Sequence, residues 1–235
     1  MLAHSLGTSL ALWEPQRAAL AERFRVLRYD ARGHGRSETT PGPYTIELLA
    51  RDVLELMDAL AIARAHFCGL SIGGLVGMWL GAHAPERISR LVLANTAPRI
   101  GTPERWDARI EGVLRLGTQA LVPDMLPRWF TPAFRERSPE VVESAARMLE
   151  ETSAEGYAAS AAAIRDADLG PSLAAIRAPT LVISGRDDPA TPPDEGRSLA
   201  RRIAGAGFCE LPASHLSNLE APAEFGAELL RFLND

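Results

Sequence analysis

Five short apolar runs, at residues 25–29, 65–68, 90–93, 180–184 and 207–211, alternate with longer stretches of helical period. Strands spaced this way pair in parallel, because a parallel pair needs a crossover of a dozen or more residues, usually a helix. The clearest crossover is 45–61. There Ile46, Leu49, Val53, Leu56, Met57 and Leu60 recur at spacings of three and four, with Glu47, Arg51, Asp52 and Glu55 between them. The pattern predicts an α/β fold: a mostly parallel sheet with helices on both faces. The length, 235 residues, fits one domain, or one domain carrying a sizeable insertion.

The insertion is visible as a gap. No strand pattern occurs between Thr96 and Pro179, far too long a stretch to be a structureless connection in a compact domain. Pro103, Pro123, Pro127, Pro132 and Pro139 cut it into helix-length pieces, with Pro139 expected two residues into a helix that follows Arg137. The organisation predicted is a core at 1–97, a helical cap at 98–178 and the rest of the core at 179–235. A cap inserted between two core strands implies a lid over a pocket.

Composition narrows the chemistry. All 25 basic residues are Arg, so a Schiff-base lysine and a lysine-type phosphate loop are both excluded. The net charge is −5 and the Arg residues are scattered, which leaves no footprint for nucleic acid and favours a small-molecule ligand. Cys68 and Cys209 are far apart with no CxxC spacing; they read as small apolar core residues in a reducing compartment, with no zinc site. The uncharged stretch 67–82 is too short and too rich in Gly to span a membrane. No basic leader followed by an apolar run opens the chain, so a cytoplasmic protein is expected.

Gly69-Leu70-Ser71-Ile72-Gly73 lies between the predicted strand 65–68 and an apolar helix predicted at 74–83. This is a nucleophile elbow: the turn strains Ser71, and Gly on either side lets strand and helix approach closely. The Ser71 hydroxyl then stands at a helix N-terminus, where the Ile72 N–H can receive an oxyanion. A Ser hydroxyl needs a base and an orienting carboxylate, in the chain order Ser, Asp, His. Asp187 and Asp188 both follow the run 180–184, and His215 follows the run 207–211. Either carboxylate and the imidazole would stand at neighbouring strand ends facing Ser71.

With Asp30-Ala31-Arg32-Gly33-His34-Gly35-Arg36-Ser37, the elbow, and the late Asp and His, the chain resembles the α/β-hydrolase superfamily along nearly its whole length. His4-Ser5-Leu6-Gly7-Thr8, Trp13, Arg28-Tyr29-Asp30, Pro41-Gly42-Pro43-Tyr44-Thr45-Ile46 and Leu126-Pro127-Arg128-Trp129-Phe130-Thr131 are similar to the 3-oxoadipate enol-lactonases. The resemblance implies Asp188 as the acid, by its Gly-x-x-Asp spacing, and the Leu6 N–H as the second oxyanion donor. It implies hydrolysis of 3-oxoadipate enol-lactone to 3-oxoadipate in aromatic catabolism through an acyl-enzyme, without cofactor or metal. The substrate keeps one free carboxylate, which Arg128, beside Trp129 in the cap, is placed to pair.

In that family two further strands precede the oxyanion loop, which here begins close behind Met1. The expectation is therefore a truncated or misassigned start; the alternative is a form that lacks the first hairpin, which would leave 25–29 as an uncovered sheet edge and the chain of low stability. His34 is assigned to loop structure, His66 and His83 to element boundaries, and Trp13, Trp79 and Trp106 to the core, while His4 borders the oxyanion loop. The rivals are a carboxylesterase, carbon–carbon hydrolase or perhydrolase on the same triad, and a hydrolase-fold binding protein without turnover.

Overall fold

The computed structural model describes residues 1–234. Its sheet has five parallel strands whose spatial order is their chain order: β1 (Leu2–Ala3), β2 (Ala65–Leu70), β3 (Ile88–Ala94), β4 (Thr180–Gly185) and β5 (Gly207–Leu211). Four of the five predicted runs form these strands. The exception is 25–29, which is not a strand: Arg28 makes one isolated bridge to Leu2, and the Leu2 N–H donates to the Leu27 carbonyl at 2.9 Å. The reason is the neighbour, since β1 is only two residues long and offers too little backbone for a ladder. The chain beyond is held by side chains instead, with the Asp30 carboxylate accepting from the Leu10 N–H at 2.7 Å and the Arg36 N–H at 3.1 Å.

Ahead of β2 come α1 (Glu14–Ala21) and α2 (Ile46–Ala59). Thr45 caps α2 by accepting from the Leu48 N–H at 3.0 Å, and the periodic face Ile46, Leu49, Val53 and Met57 is buried as its spacing requires. The next helix, α3 (Ile72–His83), starts two residues earlier than predicted because it opens directly behind Ser71. It packs on β2 and β3.

Between β3 and β4 the chain is helical: α4 (Pro103–Leu116), α5 (Val122–Trp129), α6 (Pro132–Arg137), α7 (Pro139–Glu150) and α8 (Ala154–Arg165). Most of its prolines start helices rather than interrupt them. Pro103, Pro132 and Pro139 are the first residues of α4, α6 and α7, where a missing N–H costs nothing, so Pro139 is not two residues inside a helix. Pro127 alone of those five lies inside one, near the end of α5. The alanine-rich α8 is buried on every side and packs along α4. The insertion closes on itself at its base, where the Leu169 N–H donates to the Pro98 carbonyl at 3.0 Å and Arg99 pairs with Asp168 at 3.0 Å.

The remaining elements are α9 (Pro193–Arg202) between β4 and β5, then α10 (Ser217–Glu220) and α11 (Pro222–Asn234). Cys68 is buried as expected, but Cys209 is only half-buried on β5. No helix among the described residues is long and apolar enough to cross a membrane.

Candidate active site

Each strand delivers one residue to the same edge of the sheet. Leu6 follows β1, Ser71 follows β2, Asn95 follows β3, Asp188 follows β4 and His215 follows β5. A parallel sheet makes this inevitable, because all its carboxyl ends point one way and its loops gather there.

Ser71 has φ 58° and ψ −114°, a conformation that costs a non-glycine residue about 1–3 kcal/mol. Its surroundings hold it there. The Ser71 N–H donates to the Ala94 carbonyl at 2.9 Å, and its own carbonyl accepts from the Gly74 N–H, the Leu75 N–H and the Thr96 hydroxyl. The flanking glycines are required by space: a Cβ on Gly69 would stand 2.0 Å from the Gly73 carbonyl oxygen, and one on Gly73 2.5 Å from that of Ala3.

His215 donates from Nδ1 to Oδ2 of Asp188 at 2.8 Å, both side chains being almost fully buried. The same oxygen accepts from the Asn95 amide at 3.0 Å and the Thr191 hydroxyl at 2.7 Å, while Oδ1 accepts from the Ala190 N–H at 2.8 Å and the Thr191 N–H at 3.2 Å. Burial alone would push the Asp188 carboxyl up. His215 and these hydrogen bonds outweigh it and hold Asp188 below the usual carboxylate range. Asp187 is exposed, so the two carboxylates left open by spacing are separated by burial.

The loop 4–8, which carries Leu6, is braced by two neutral histidines. His34 Nε2 accepts from the Gly7 N–H at 3.1 Å, and His4 Nε2 accepts from the Ala31 N–H at 2.9 Å while its Nδ1–H donates to the Ser5 carbonyl at 2.8 Å. Burial lowers both, His34 to about 3. His34 thus has the loop role expected of it, and His4 joins it. The Ile72 N–H is the first of α3 and has no acceptor within the helix.

Ser71, His215 and Leu6 line one cavity, roofed by α4, α5 and α8. Arg128 and Trp129 line it, as expected; Trp106, read from the sequence as core, lines it too, with Arg105 and Arg109 on the same helix. A larger cavity, about 560 Å³, opens at the amino-terminal ends of β1 and β2, away from these groups. The site by itself can attack a carbonyl, store the serine proton on an imidazole and release it to a leaving group.

Residues 1–222 match the family described as alpha/beta hydrolase fold. The chain belongs to the α/β-hydrolase family. Among this hydrolase's relatives, 3-oxoadipate enol-lactonase 2 of Acinetobacter baylyi is 44% identical over 225 residues, covering 96% of this chain and 84% of that protein. The crystal structure of the enol-lactonase from Burkholderia xenovorans LB400 superposes with a TM-score of 0.99 at 52% identity, covering 100% of this chain and 90% of that one. A thermophilic esterase from Thermogutta terrifontis, solved with malate bound, has a TM-score of 0.95 at 32% identity, covering 99% and 88%. This hydrolase is thus similar along its whole length to enzymes that cleave lactones and esters.

Proposed function

We propose that this hydrolase opens the ring of 3-oxoadipate enol-lactone to give 3-oxoadipate. The observation that carries the substrate is charge: Arg105, Arg109 and Arg128 all line the cavity of Ser71 and His215, and among the described residues no carboxylate lines it with them. Burial and the nearby Arg109 and Arg105 outweigh Asp124 and lower the Arg128 guanidinium below its usual range, an excess of positive charge that an added anion would relieve. A lactone bearing one free carboxylate supplies it. Malate, bound by the related esterase, is likewise a carboxylate.

Ser71 attacks the lactone carbonyl as His215 takes its proton, Asp188 holds the imidazole tautomer, and the N–H groups of Leu6 and Ile72 receive the oxyanion. Collapse breaks the ring C–O bond and expels an enolate, which His215 protonates. The enol becomes a ketone, so the ring does not re-form. Water activated by His215 then hydrolyses the acyl-Ser71 and frees 3-oxoadipate. The triad and the binding residues work without cofactor, and the two free thiols suit the reducing cytoplasm.

The test compares kcat/KM for the enol-lactone with that for a neutral aryl ester, with Ser71→Ala as the blank. A large lactone preference abolished in the variant is the expected result. Ester turnover without lactone preference would move the function to a general carboxylesterase.

A further inference from the structure

Glu220 is a carboxylate 5% exposed, five residues beyond His215, and it plays no part in the chemistry above. Its oxygens collect donors from two separate elements. Oε2 accepts from the Ser214 N–H at 2.9 Å, both oxygens accept from the Thr131 N–H at 3.3 Å, and Oε1 accepts from the Thr131 hydroxyl. Ser214 immediately precedes His215; Thr131 follows the cap residues Arg128 and Trp129 by two or three positions.

Two further bonds join the same segments. The Ser214 hydroxyl donates to the Arg128 carbonyl at 2.7 Å, and the Leu216 N–H donates to the Trp129 carbonyl at 3.1 Å. Both neighbours of His215 in the chain are therefore tied to two of the cap residues that line the cavity. The cap also meets the core through α8, where the Tyr44 N–H donates to the Ala159 carbonyl at 3.1 Å.

We infer that Glu220 is a positioning residue that sets the His215 imidazole and the substrate-facing residues Arg128 and Trp129 in one frame. A carboxylate suits the task because it only accepts, and every group facing it donates. The inference rests on the roles proposed for His215 and the cap cavity. It adds that base alignment and carboxylate recognition are held by one buried group, so that disturbing it moves both.

Glu220→Gln tests this with little change in shape. Either way the amide is turned, its NH₂ meets the Thr131 N–H, because that donor reaches both oxygens. Activities are taken per site titrated with a fluorophosphonate, so misfolded molecules do not count, and Tm is recorded alongside. The expected result is a kcat lower by about ten-fold on both the enol-lactone and a neutral aryl ester, from a misaligned base. KM should rise for the lactone alone, from displaced cap residues.

Thr131→Val removes the hydroxyl that donates to Glu220, along with the α6 cap it makes by accepting from the Phe134 N–H at 3.3 Å, and should move the same constants the same way by a smaller factor. Wild-type kcat and KM per titrated site in both variants would overturn the inference, whatever happens to Tm, since a purely structural carboxylate lowers Tm without touching the constants. Ser71→Ala separates the two proposals. Turnover surviving in it refutes the serine mechanism, whereas an inactive Ser71→Ala beside a normal Glu220→Gln refutes only the role of Glu220.

Discussion

Asn95 and His215 share one acceptor: the amide of Asn95 and Nδ1–H of His215 both reach Oδ2 of Asp188, at 3.0 and 2.8 Å. Asn95 is fully buried with φ 45°, a conformation that Asn and Asp tolerate better than other side chains, and its Oδ1 accepts from the Ser217 hydroxyl at 2.5 Å. It holds the same carboxylate oxygen that the Thr191 hydroxyl holds. Asn95→Asp keeps the shape but sets a second carboxylate against the first, and two such groups do not both ionise readily. The acid limb of the pH profile of kcat/KM should move up by about one unit or more. An unmoved limb would show that Asn95 does not act on Asp188.

His34 is held neutral in the folded chain, down to about 3 against an ordinary 6.5, first by burial and then by the nearby His4. Unfolding lets it take up a proton anywhere between those values. Its contribution to stability is therefore complete above about pH 6.5 and is lost as pH falls toward 3, at about 1.4 kcal/mol per pH unit. Urea titrations at pH 6, 5 and 4 should show a slope flattened by that amount in His34→Gln. A slope equal to that of the parent chain would mean His34 is not the group taking up the proton.

Ser71→Ala should lower kcat by several orders of magnitude while the chain still folds, because alanine removes the hydroxyl from a turn that neighbouring backbone bonds hold. Circular dichroism and turnover on either substrate check the two halves. Retained turnover would exclude Ser71 as the nucleophile.

Arg109→Ala and Arg128→Ala should raise KM for the enol-lactone by about ten-fold or more and leave KM for a neutral aryl ester unchanged. Arg109 lies over the Trp106 ring at 4.9 Å, which holds its side chain at the cavity wall. An unchanged lactone KM in Arg128→Ala would remove that residue from substrate binding.

Ser71, His215 and the pair Asp187–Asp188 were legible because each follows a strand whose apolar run is unmistakable, while the choice of Asp188 within the pair came from the family resemblance. Asn95 carried a weaker signal of the same kind, a polar residue directly behind a strand, and was passed over. Trp106 and Arg109 had none: which face of α4 meets the cavity depends on how α4 packs against α8, and no local periodicity encodes that. Glu220 looks like any surface glutamate until Thr131, far away in the chain, is brought to it. The strand errors have a similar origin. Leu2–Ala3 is too short to show a period, and 25–29 has the right composition for a strand but only that short neighbour to pair with.

The bond between Pro98 and Leu169 gives the insertion the topology of a cassette. Its two ends already meet, so lengthening or shortening the helices between them changes the closure entropy only logarithmically, about 0.6 kcal/mol for a doubling. The remaining link, through the turn at Gly170–Ala175, crosses to β4 by itself and completes the parallel connection. Away from the segment 128–131, which is tied to both neighbours of His215, the roof over Ser71 can therefore be rebuilt for a new acid or ester, and selection can trade one substrate for another while the reacting groups stay where they are.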